Sequence, residues 1–246
     1  PSSTLFPYTT LFRSVKRFEH TAMTEGAPVL SVRDLHFPAL PPMTFDIRRG
    51  EIAFLRDENY NTGRRLHECF LGDRGWTSGF FRLNGRLYQP DDLGRVIGSE
   101  IGIQIERPDR PGGVLFDNMT ALDNLCTSLI PKAGQHIIRK KIVSSILSEA
   151  LRWFPKEMLL QPLSSWSYPE RLRFSYYRWY LLNPRLLICF FPFTGQESTH
   201  HKMIIDLLVL CAQRGMAVWI ISSGIDAICE KTDNEEFLRR LHYLNK

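Results

Sequence analysis

From residue 29 onward, apolar and polar positions follow patterns that assign elements one after another. Residues 29–35 and 43–47 alternate with a period of two, and 52–55 is a short continuous apolar run, so each predicts a β-strand. Residues 56–63 are rich in Asn, Asp and Gly and read as a loop, after which Leu66, Cys69, Phe70 and Leu71 fall at helical spacing. The local order is strand, loop, helix. Residues 80–83 followed by Asn84-Gly85 predict a strand entering a tight turn, because that dipeptide tolerates the positive φ angles such turns require. Residues 101–105 predict another strand.

The middle of the chain changes period. Across residues 120–163, Leu122, Leu125 and Leu129, then Ile137, Ile138, Ile142, Ile146, Leu147 and Leu151, trace the apolar stripe of a helical insert. Ser167-Tyr168-Pro169-Glu170 has the form of a capping box with proline in the first turn, opening a helix that runs towards Leu182. Residues 186–191 and 217–221 predict buried strands, 201–214 a helix between them, and residues from 225 to the end short helices. Continuous apolar strands alternating with helices indicate an α/β fold with a parallel sheet covered on both faces.

Composition narrows the class. The chain has 246 residues, 43% hydrophobic and 12% aromatic, enough to bury the core of one large α/β domain or two small ones, which excludes disorder as the default. The net charge of +5 comes from Lys and Arg scattered among acidic residues, which suits an anionic ligand or surface without establishing either. Five cysteines lie far apart with no C-x-x-C pair, favouring reduced thiols over a disulfide or zinc framework. No apolar run approaches the ~20 residues of a membrane-spanning helix, so any membrane role is expected to run through a partner. Residues 4–14, TLFPYTTLFRS, resemble the conceptual translation of a sequencing adapter. Residues 1–14 are therefore set aside and 15–28 read as a linker, with Met23 as one starting point and a lost upstream continuation as another. A targeting segment is the alternative, opposed by Pro7 and the lack of a small-residue cleavage site.

Several stretches, in order, are similar to the ATP-binding cassettes of ABC transporters: residues 30–35 (LSVRDL), 47–52 (IRRGEI), 115–125 (LFDNMTALDNL), 178–188 (RWYLLNPRLLI) and 215–223 (GMAVWIISS). The last resembles sugar-importer ATPases, in which two cassettes are fused, and residues 28–30 resemble the entry to the second cassette of such a tandem. The resemblance implies a P-loop NTPase-like cassette over residues 29–246, with a mostly parallel central sheet, an antiparallel β part and a helical subdomain at about 119–182. It also implies partners, a second cassette and a membrane permease, with no DNA and no direct insertion into the membrane. Its location would be cytoplasmic, peripheral at the inner face of the cell membrane.

The chemistry departs from that pattern. A working phosphate loop, G-x-x-x-x-G-K-[ST], wraps phosphates in backbone N–H groups at a helix N-terminus. Aligned from Gly50, the resemblance puts Asp57, Tyr60 and Thr62 where its glycines belong, Gly63 at its lysine, and Arg64 and Arg65 at its hydroxyl pair. A one-residue slip would place Arg64 at the lysine. Phe190 and Phe191 fall where the magnesium-side carboxylates stand, and a phenyl ring neither ligates metal nor accepts a proton. Ser167 sits in the signature position, followed by Pro169, which removes a donor, and Glu170, which adds negative charge. Glu106 matches the Q-loop, Glu197 the D-loop aspartate and Ser223 the switch histidine, while Phe37 is either an adenine platform or a core residue at a strand end.

The candidate nucleotide-site positions are thus Phe37, Asn59, Gly63, Arg64, Arg65 and Ser167, with no catalytic residue and no metal ligand expected. ATP is the cofactor the resemblance offers, held weakly if at all, and magnesium is not expected. The leading reading is a degenerate, non-hydrolysing cassette associated with a carbohydrate importer. A free-standing regulatory or scaffold protein, a divergent active ATPase and a decayed reading frame are the alternatives.

Overall fold

The computed structural model describes residues 26–73, 75–106, 115–133, 140–194 and 198–244. Among them, Phe116–Ser165 forms one compact unit and the remaining described residues another.

The larger unit begins with β1 (Leu30–His36), β2 (Met43–Ile47) and β3 (Ile52–Arg56), followed by α1 (Asn61–Leu71). Next come β4 (Ser78–Leu83), β5 (Arg86–Tyr88), the short α2 (Pro90–Leu93) and β6 (Ile101–Ile105). Strands β2-β1-β4-β5 make an antiparallel sheet in that order. Its alternation is visible as burial of Leu30, Val32, Leu35, Phe45 and Ile47 on one side. Asn84 (φ 49) and Gly85 (φ 78) supply the two positive angles of a two-residue hairpin, which returns the chain directly into β5. β5 lies beyond the expected strands because three residues are too few to show a period.

The smaller unit holds α3 (Ala121–Ala133), α4 (Lys140–Ala150), α5 (Lys156–Leu159) and a 3-10 turn at Leu163–Ser165. Ile137 and Ile138 of the expected apolar stripe lie outside the described residues. Its entry loop is organised by one buried amide: Asn124 accepts from the Phe116 N–H at 2.9 Å and donates to the carbonyls of Phe116 and Thr120, both at 3.0 Å. Thr120 accepts from the Asp123 N–H at 3.0 Å, capping α3.

The larger unit resumes with α6 (Tyr168–Leu182), β7 (Leu186–Phe190), α7 (Ser198–Gln213), β8 (Ala217–Ser222), α8 (Asp226–Cys229), α9 (Glu235–Arg240) and β9 (Leu241–Tyr243). The second sheet runs β6-β7-β8-β3-β9, every neighbouring pair parallel. β7 and β8 are buried at every residue, as continuous apolar runs in a covered parallel sheet should be. Instead of helices to the end, the chain adds β9, whose Leu241, His242 and Tyr243 pair with Ile52, Ala53 and Phe54. The open edge of β3 offers this ladder; it is a tertiary opportunity that three residues do not advertise. All five cysteines are free. Among the described residues, no helix is long and apolar enough to cross a membrane.

Gly79 tests the antiparallel register. Its φ is 83°, and a Cβ there would lie 2.1 Å from the Asp34 carbonyl oxygen, at the irregularity between Arg33 and His36. Gly79→Ala is expected to cost about 2–4 kcal/mol, because strain and a backbone collision add. Urea unfolding would show a lowered midpoint, whereas an unchanged one would contradict this pairing of β1 and β4.

Candidate functional site

The site is built where β3, β7 and β8 end. Parallel pairing fixes the level of each strand, so Asp57, the residue after β3, donates its N–H to the Ser222 carbonyl at 2.9 Å. Asp57 is only 6% exposed. Its carboxylate turns onto the first turn of α1, where Oδ2 accepts from the Gly63 N–H at 2.7 Å and Oδ1 from the Thr62 N–H at 3.2 Å. A helix N-terminus presents unsatisfied N–H groups and a partial positive charge, and so attracts anions. Here the anion belongs to the chain itself. The intervening turn contains no glycine, and Tyr60 makes it by adopting φ 57°.

At the neighbouring strand end, Phe190 closes β7 at 1% exposure, edge-on to His67 with ring centroids 5.7 Å apart. Phe191 follows at φ 54° and donates its N–H to the Ile221 carbonyl at 2.8 Å. Its ring lies against Gly63, with Cζ 2.6 Å from where a Cβ of residue 63 would stand, and packs on the Tyr60 ring at 4.7 Å. Phe191 therefore stands beside the N-terminus of α1, while Phe190 lies in the core against its second turn.

The other candidate residues scatter around this centre. Asn59 is exposed and lines a cavity of about 790 Å³ together with Leu40, Arg56, Asp57, Glu58, Asn61 and Tyr243. Phe37, 1% exposed, belongs to the hydrophobic core, with Leu35, Phe45 and Phe81 among its members. Arg64 is exposed, its Nη2 3.5 Å from Asn61 Oδ1, and Arg65 pairs along α1 with Glu68 at 3.1 Å. Ser167 begins α6, where both its N–H (2.8 Å) and its hydroxyl (2.7 Å) donate to Glu170 Oε2. A second helix N-terminus thus also carries an internal carboxylate. Glu197 lies outside the described residues.

Three features were not legible. Asp57 stands in the sequence only as a departure from a glycine position, whereas the structure turns its carboxylate onto the Thr62 and Gly63 amides. Tyr243 reaches the cavity only because β9 forms; it donates to Asp226 Oδ1 at 3.2 Å, and burial first of all pushes its phenol up to about 12, so it stays a donor at neutral pH. Glu106 is buried in a network in which Gln104 Nε2 donates to it at 2.7 Å and to Ser175 at 3.1 Å, while Trp179 Nε1 donates to Gln104 Oε1 at 2.8 Å. Partners 71 and 75 positions away leave no local pattern to read.

The residues present do not fit a nucleotide triphosphate with magnesium. The Asp57 carboxylate already accepts from the Thr62 and Gly63 amides, and the Phe191 ring lies on Gly63.

No family model matches the chain. It is 25% identical over 212 residues to the "putative ribose/galactose/methyl galactoside import ATP-binding protein" of Pseudomonas syringae pv. tomato, covering 85% of this chain and 40% of that protein. It is likewise 25% identical over 227 residues to the fructose import ATP-binding protein FruK of Bifidobacterium longum, covering 87% of this chain and 42% of that one. The chain thus spans about two fifths of the length of these relatives. Among solved structures, cbiO1 of Clostridium perfringens, part of an ABC transporter complex, superposes with a TM-score of 0.68 at 20% identity, over 89% of this chain and 85% of that one. A dimeric ATP-binding cassette with ADP and Pi gives 0.62 at 17% identity, over 88% and 94%. The chain has the fold of an ABC ATP-binding cassette and resembles in sequence the ATP-binding proteins of sugar-import ABC transporters.

Proposed function

We propose that the chain is a cassette of a carbohydrate importer that has lost hydrolysis and serves as a structural or regulatory subunit, beside a second cassette and on a membrane permease at the inner face of the cell membrane. The observation that carries this reading is the Asp57 carboxylate seated on the Thr62 and Gly63 amides. A triphosphate arriving there meets a like charge, and at about 4 Å that repulsion costs ~1 kcal/mol in water and ~4 kcal/mol at the effective dielectric of a protein surface. This alone weakens binding roughly five- to thousandfold. Even a bound nucleotide would meet Phe190 and Phe191 where hydrolysis needs a group to hold metal and orient water. The Glu170 carboxylate at the start of α6 supports the same reading at the surface that would face an opposite cassette.

Purified protein titrated with ATP and Mg²⁺ is expected to show no turnover above the protein-free rate. Magnesium-dependent turnover that falls on Arg64→Ala or Arg65→Ala would overturn the proposal in favour of a divergent enzyme. Phe190→Asp does not rescue activity, because it restores one carboxylate without a cup; it is expected to destabilise the fold by about 2–5 kcal/mol, as a charge placed at a buried strand end must. Thermal unfolding checks this, and a variant as stable as the parent would contradict the buried placement of residue 190. Co-expression with a sugar permease and its cassette is expected to co-purify the chain; recovery of the chain alone would leave the partner assignment without support.

A further inference from the structure

Tyr60 (φ 57°) and Phe191 (φ 54°) both occupy the left-handed backbone region, where bulky side chains are outliers held in place by their surroundings. Each is held by the other, through rings 4.7 Å apart, and by Gly63, whose missing side chain admits the Phe191 ring. Asp57 is equally unusual as a helix cap. An ordinary capping aspartate sits at the N-cap itself, but the N-cap of α1 is Tyr60, which makes no side-chain cap hydrogen bond. Asp57 serves the same two amides from the strand end, five and six residues upstream. Side chains from two separate loops therefore converge on one spot, a carboxylate against the amides and, beside it, two rings carried on left-handed backbone.

We propose that Asp57, Tyr60 and Phe191 form an autoinhibitory plug. Asp57 stands in for an external oxyanion at the Thr62 and Gly63 amides, and the paired rings close the approach across Gly63. The first turn of α1 is thereby held in its anion-bound form without a ligand, and it does not respond to one. This rests on the reading that the chain does not hydrolyse nucleotide, and adds that an intramolecular contact keeps small oxyanions out.

Equilibrium dialysis against inorganic phosphate, with chloride at matched ionic strength as the control, tests the plug. The parent chain is expected to bind no phosphate saturably, and the double variant Asp57→Gly/Phe191→Gly to bind it saturably, retaining at least roughly tenfold more than the parent at the same phosphate concentration. A folded double variant that binds no better than the parent, or a parent that already binds, overturns the proposal. Should the double variant not fold, amide exchange of the parent decides: Thr62 and Gly63 are expected to be protected equally with and without phosphate, and protection that is absent or grows with phosphate overturns the plug. ATP turnover by the parent, measured separately, would sink the non-hydrolysing reading, whereas failure of the double variant to bind would sink the plug alone.

Discussion

A helix that starts at the end of a buried parallel strand must do something with its first free N–H groups, and this one constraint shapes the site. At the start of α1 the Thr62 and Gly63 donors point to where β3 ends, and the Gly63 donor is buried. The chain answers with its own carboxylate: Asp57 accepts from Thr62 and Gly63. Beside that carboxylate, the Phe191 ring lies on Gly63.

At α6 the start is made differently, by a capping box in which Glu170 accepts from the N–H and hydroxyl of the N-cap Ser167. Both helix starts that the family resemblance marks for phosphate thus carry a negative side chain from within the chain. The scaffold around them persists: a parallel sheet with β7 and β8 buried throughout, an antiparallel sheet ordered β2-β1-β4-β5 and a separate helical unit. Conserving a fold takes mainly apolar positions at the right period, whereas conserving a phosphate site takes particular residues at particular points.

What could be read from sequence follows that division. β7 and β8 are unmistakable because continuous apolar runs have few other uses, and the Ser167-to-Glu170 box announces the start of α6 through a mechanism only four residues long. β5 and β9 were hidden because three residues carry no period and depend on an available sheet edge. The substitutions at Asp57, Phe190 and Phe191 were legible, but their meaning was not. The sequence places a negative charge among the loop's glycine positions; only the fold shows that this charge also caps the helix. Phe37 illustrates the remaining gap, since a strand-end aromatic looks the same in sequence whether it faces a ligand or, as here, the core.

The Thr62 and Gly63 amides are already satisfied by Asp57. Their NMR proton shifts, followed as MgATP is added to the isotope-labelled protein, report this directly. The account predicts two shifted, strongly hydrogen-bonded amides that do not move across the titration, and saturable movement of both signals would contradict it.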